Sequence, residues 1–210
     1  MLIRKPDPKA GMPPEPVDPE HLREALHSGS ADDCIRLLCG TEQLPAECRQ
    51  SALDRLSRES DSRLQQILLN HIVVDLQAEE VEPLIALLSS DDAGLRNQVI
   101  DALGQVRQGA VAELLAQAVR QRLHDDDPDI RILTLNLVAT LELPQLLPEV
   151  EQCLREDAHL NVCMTALDVI LMLGNEDHWP AVESLTQRFP DEPFVAFSVR
   201  RARSQLRDQD

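Results

Sequence analysis

The stretch from His124 to Leu141, HDDDPDIRILTLNLVATL, opens on an acidic turn and runs straight into an apolar-periodic segment. Asp127 is placed to cap the free N–H groups of a helix, and Pro128 suits the first helical position, where a missing N–H costs nothing. Ile130, Leu133, Leu137 and Leu141 then recur three and four apart, which puts them on one side, while Arg131 stands one turn beyond the capping carboxylate. The arrangement is repeated. Asp92, Leu95 and Arg96 stand in the same relation 35 residues earlier, followed by Val99, Ala102, Leu103 and Val106. Asp157 and Leu160 stand 30 residues later, followed by Met164, Leu167 and Leu171, with Asn161 in the place aligned with the arginine. A unit of helix, short turn and helix that returns every 30 to 35 residues predicts a stacked helical solenoid.

The building material agrees. One tryptophan, three phenylalanines and no tyrosine leave Leu, Val, Ile and Ala to fill the interior, which suits closely packed helix pairs and not a strand-rich fold. A net charge of −17, from 37 acids against 20 bases, makes the mean field repulsive to nucleic acid and to anionic membranes. Between Ile132 and Val199 only Arg155 and Arg188 oppose eleven acids, so a neutral or basic protein partner is expected. Cys34, Cys39, Cys48, Cys153 and Cys163 are odd in number and show no disulfide spacing; with no signal peptide or long apolar run, they point to the cytoplasm.

Five prolines in Met1–Val17 predict an extended tail, residues 1–17, ahead of a helical domain over 18–207. Within that domain 18–76 read as irregular N-terminal pairs and 77–207 as regular repeats. Helices are predicted over 19–27, 31–39, 45–57, 62–76, 79–88, 94–106, 111–123, 128–141, 147–154, 157–173, 179–189 and 193–206. These are about twelve helices in six antiparallel pairs, joined by short connections.

Three features resemble HEAT-type repeats, particularly the HEAT-like kind found in phycobilisome-lyase proteins. They are the proline-marked start at Pro83 in VEPLIALL, the aspartate turn, and a second helix closing on Leu-Gly. Pro83 precedes Asp92 by nine residues and Pro148 precedes Asp157 by the same nine; Leu103-Gly104 and Leu173-Gly174 close alike, whereas Leu141 is followed by Glu142. The resemblance implies an all-α fold, a right-handed α–α superhelix. It also implies a structural ladder between repeats, carried by Asp92, Arg96, Asp127, Arg131 and Asp157 and broken at Asn161.

Chemistry is hard to find. His27, Cys34, Cys39 and Cys48 lack the paired short spacing of a zinc site, and Pro128 excludes an EF-hand loop around His124–Asp127. No phosphate loop, dinucleotide fingerprint or nucleophile elbow is present, so no catalytic residue, metal or cofactor is expected. In a solenoid of this kind the second helix of each pair lines the concave side. Two of these are apolar beyond one stripe, through Ile132, Leu135 and Ala139 in one and Val162, Val169 and Met172 in the next. With Asn97, Asp101, Asn136, Thr165 and Asp168 at the rim, they outline a groove for a peptide or helix of a protein partner. The expected function is a non-catalytic adaptor. An assembly chaperone for a metalloenzyme or redox-enzyme subunit is the alternative, and a bilin lyase-like enzyme the third.

Overall fold

A computed structural model describes residues 17–106 and 109–207, and the proline-rich stretch through residue 16 lies outside the described residues. Twelve α-helices are present among them. They are α1 (Pro19–Ser28), α2 (Ala31–Cys39), α3 (Arg49–Arg58), α4 (Ser62–Val74), α5 (Val81–Ala86), α6 (Ala93–Leu103), α7 (Ala110–Arg122), α8 (Pro128–Thr140), α9 (Leu147–Glu156), α10 (Leu160–Leu173), α11 (Trp179–Arg188) and α12 (Pro193–Arg207). No strand occurs among the described residues.

The helices begin where the capping chemistry says they should. Asp18, Ser30, Asp92 and Asp127 each accept a backbone N–H from the first turn of the helix that follows. Asp61 does the same for α4, accepting from Arg63 N at 2.9 Å. Short 3-10 turns starting at residues 46, 78, 144 and 176 lead into α3, α5, α9 and α11, so a register of about 32 residues reaches back to α3. The helix predicted over 79–88 is broken into α5 and 3-10 turns on either side, Ala78–Glu80 and Leu87–Ser89.

The chain divides into two compact units, Met1–Ile72 and Val73–Asp210. In the first, α1 packs on α2 and α3 over buried Leu22, Leu26, Leu38 and Leu56. Arg58 donates to the carbonyls of Leu26 and His27 at 3.0 and 2.7 Å, satisfying the open C-terminal end of α1.

In the second unit the pairs α7–α8, α9–α10 and α11–α12 stack in two layers. First helices pack on first helices, α5 on α7 and α9 on α11; second helices pack on second helices, α6 on α8, α8 on α10 and α10 on α12. Leu103, Leu137, Leu154, Ala166, Ile170 and Leu185 are among the side chains buried between the layers. Gly104 sits where α6 crosses the end of α8: a Cβ there would lie 2.6 Å from Thr140 Cγ2. After α8 the chain turns through Glu142 at φ 53°, a left-handed conformation that glycine adopts without strain.

One bond recurs at the turns. The side chain four residues beyond the residue preceding a second helix donates to the carbonyl six residues before itself. Gln65 Nε2 reaches Glu59 O at 2.8 Å, Arg96 Nη1 reaches Ser90 O at 2.6 Å, Arg131 Nη1 reaches Asp125 O at 2.7 Å, and Cys163 Sγ reaches Asp157 O at 3.3 Å. This register corrects the sequence alignment of the third copy. Asp157 is not the counterpart of Asp92 and Asp127; it follows the end of α9, and the residue preceding α10 is His159. Cys163, not Asn161, therefore stands in the arginine position. Arg188 of α11 supplies the missing guanidinium, donating to Leu154 O at 2.5 Å, to Asp157 O and to Cys163 Sγ at 3.4 Å.

Candidate partner-binding cleft

Helical geometry divides the α10 sequence into two faces. Cys163, Ala166 and Ile170 fall together on its buried side, and Asn161, Asp168 and Met172 on the opposite, open side of the second-helix layer. The same division puts Asn97 and Asp101 of α6 and Asn136 of α8 in solvent. Ile132, Ala139 and Thr165 are half-buried. Three members of the expected groove are not available to any partner: Leu135, Val162 and Val169 are 0, 0 and 2% exposed. Their place is the seam between neighbouring helices, because α10 packs on both α8 and α12 as well as on α9 and so needs a wide apolar surface.

Three exposed large apolar side chains, Met172, Phe194 and Phe197, gather at one place. Between α10 and α12 lies a cleft of about 540 Å³, with Met164, Leu167, Leu171 and Met172 along α10 and Phe194, Phe197 and Ser198 along α12. Such a volume falls in the range of ligand-holding clefts. Met172, Phe194 and Phe197 are 63, 62 and 57% exposed, which is unusual for large apolar side chains held in regular helices. Val195, Val199, Ala202 and Leu206 form the buried stripe of α12, leaving Phe194, Phe197, Arg201 and Gln205 to recur three and four apart on the cleft side.

Two charges enter the cleft, Asp168 from α10 and Arg201 from α12. Burial pushes the Asp168 carboxyl above its ordinary value, and the Arg201 charge opposes that rise. Neither residue forms a contact ion pair among the described residues. Each is left with bonding capacity for something that enters.

Four of the five cysteine thiols are buried, and Cys39 is exposed. Cys34 and Cys48 are buried and donate to the carbonyls of Ala25 and Pro19 at 3.1 and 3.2 Å. Burial pushes the thiols of Cys34, Cys48, Cys153 and Cys163 up, that of Cys153 to about 11, the opposite of what a nucleophile requires. A smaller polar hollow of about 300 Å³ lies among His124, Asp125, Asp126, Arg131, Glu156 and Asp157. No group of three or more His, Cys, Asp or Glu side chains is poised to hold a metal among the described residues, and none of their helices is long and apolar enough to cross a membrane.

Asp168 and Met172 are the members of the expected groove that line the cleft. Phe194, Phe197 and Arg201 were missed by the sequence reading, although two of the chain's three phenylalanines, three residues apart on one helix, were a visible signal.

No protein-family model matches the chain, and no curated protein matches it. Among solved structures it is similar to a chain from a structural study of microtubule plus-end tracking by XMAP215, CLIP-170 and EB1. The TM-score is 0.60 at 12% identity, with 92% of this chain and 95% of that chain covered. Two engineered proteins also align, each at 16% identity over 90% of this chain, with TM-scores of 0.44 and 0.43 and with 89 and 58% of their own chains covered. The first likeness establishes the fold class, an all-α superhelix of stacked helix pairs.

Proposed function

We propose that this chain is a non-catalytic, HEAT-like protein-binding module that holds a segment of a partner protein in the cleft between α10 and α12. The observation that carries the reading is the clustering of Met172, Phe194 and Phe197 around that cleft, three of the five exposed large apolar side chains among the described residues. Burying what is still exposed of such groups against a partner contributes about 1–2 kcal/mol per side chain, and a helix or extended peptide is the natural shape for a groove between two helices. The cleft lining contains no histidine or cysteine, so it supplies neither an imidazole base nor a thiol nucleophile for lyase chemistry. The likeness to a chain from a microtubule plus-end tracking study is compatible with a protein-binding role.

The test is affinity isolation from native lysate with the wild-type chain and with Met172→Ser/Phe197→Ser. The reading expects a protein recovered by the wild type and lost by the variant, with the thermal midpoint unchanged. Equal recovery by both, or turnover of a small molecule by the purified chain, would overturn it.

A further inference from the structure

Helices α10 and α12 run in the same direction, because the short connections on either side of α11 each reverse the chain. The cleft between them is therefore built in tiers about one helical turn apart, each pairing two lining residues 33 positions apart: Met164 with Phe197, Asp168 with Arg201, and Met172 with Gln205. The middle tier is anchored by electrostatics, since the Arg201 charge acts on the Asp168 carboxyl although the two form no contact ion pair. The lining thus carries one acid on one wall and one base on the other, and is neutral as a whole. An occupant that satisfies both must bring the same two signs in the opposite order.

We infer that the segment seated in this cleft is α12 of a second copy of the chain, in a two-fold symmetric dimer whose axis passes between Asp168 and Arg201. Such an axis sets Asp168 of each copy against Arg201 of the other, the isologous arrangement in which every contact is made twice. It also turns the tiers end for end, so that the residue four beyond Asp168 on α10 meets the residue four before Arg201 on the facing α12. Those residues are Met172 and Phe197. The operation that pairs the charges therefore also lays an exposed thioether on an exposed aromatic ring, a favourable contact. This rests on the protein-binding reading and deepens it by naming the partner. The charge of −17 on each copy opposes the approach only weakly, since charges more than about 8 Å away are largely screened at physiological ionic strength. The stripe from Phe194 to Gln205 is about 16 Å long and two helices are about 20 Å across, a footprint below that of permanent dimers, so the association is reversible.

Sedimentation equilibrium of the purified full chain, from low micromolar to near-millimolar concentration, reads this directly. The mean mass should climb from one copy towards two. Asp168→Arg and Arg201→Asp, each of which sets like charges together twice per dimer, should each weaken association about tenfold or more, as should Phe197→Ser, with unchanged circular dichroism. Asp168→Arg/Arg201→Asp in one chain should recover the dimer. An equimolar mixture of the two single variants should associate as a mixed dimer, because every charged contact is then between opposite signs. A chain that stays monomeric throughout would overturn the inference, and the protein-binding reading would then stand or fall on its own isolation experiment. A dimer indifferent to the single reversals, or single variants rescued neither by combination nor by mixing, would overturn it as well, since the contact would then lie elsewhere or lack the two-fold pairing.

Discussion

The guanidinium of Arg131 meets both carboxylate oxygens of Asp157, Nε to Oδ2 at 2.6 Å and Nη2 to Oδ1 at 2.9 Å, while its remaining nitrogen bonds Asp125 O at 2.7 Å. The two side chains are 12 and 7% exposed, so the pair joins successive repeats through a fork shielded from water. Removing one partner strands the other. Arg131→Ala or Asp157→Ala is expected to lower unfolding stability by about 3 kcal/mol in urea titration, and a loss under 1 kcal/mol would mean that the pair contributes nothing beyond a surface bridge.

Acid should loosen the protein in a defined order. Burial holds His71 below its ordinary 6.5, so the unfolded chain takes up that proton first and stability begins to fall as pH drops past 6.5. Burial pushes Asp157 up, but the bonds from Arg131 and from the His159 amide outweigh it and the carboxyl lies below 3.8. Its bond with Arg63 takes Asp61 down from 3.8 to about 2. Carboxylates depressed in this way stabilise the fold above their ordinary values, and that contribution disappears as pH falls through the depressed ones. Asp168 has the opposite sign, its raised value making the fold relatively more stable as the group protonates. The thermal midpoint is expected to decline modestly from pH 7 to 5 and steeply between pH 4 and 2. Asp157→Asn should remove part of the steep phase.

Close approach at Gly104 makes a sharper test of packing. Gly104→Ala drives a methyl into Thr140 Cγ2, and about 1–3 kcal/mol of destabilisation is expected. Thr140→Ser deletes that carbon while keeping a hydroxyl, so the double variant should recover most of the loss. Additive losses in denaturant titration would show that some other group opposes the new methyl.

Core and cleft can be separated by one substitution in each. Leu135→Asp puts a carboxylate into a wholly buried site and should unfold the chain, whereas Met172→Asp, at a position 63% exposed, should shift the thermal midpoint by no more than a degree or two. Circular dichroism melts report both. If the two variants melt alike, Met172 is not the open residue described above.

Much of the architecture was legible because it is written in side chains. Asp92 and Asp127, with Pro128, mark helix starts through atoms that any reader of the sequence can see, and the Leu, Val and Ile spacing marks the buried faces. The site was legible only in part. Periodicity says that Leu135 and Val169 are apolar, not whether a neighbouring helix covers them, and α10, packed on both sides, consumes two more strips of surface than a helix with one neighbour. The third copy was misaligned for a related reason. Asp157 resembles Asp127 by residue type, but its position is set by the carbonyl that Cys163 reaches, and a carbonyl has no letter in a sequence.

That last bond has a consequence for how such repeats diverge. The receiving positions are Glu59, Ser90, Asp125 and Asp157, and the donors are an amide, two guanidinium groups and a thiol. Because the receiver is peptide oxygen, no substitution there can delete it, and any side chain with a proton to offer at the other end will serve. Each module can thus drift in residue identity while its turn stays locked, so kinship among its copies is written in backbone geometry long after it has faded from the text.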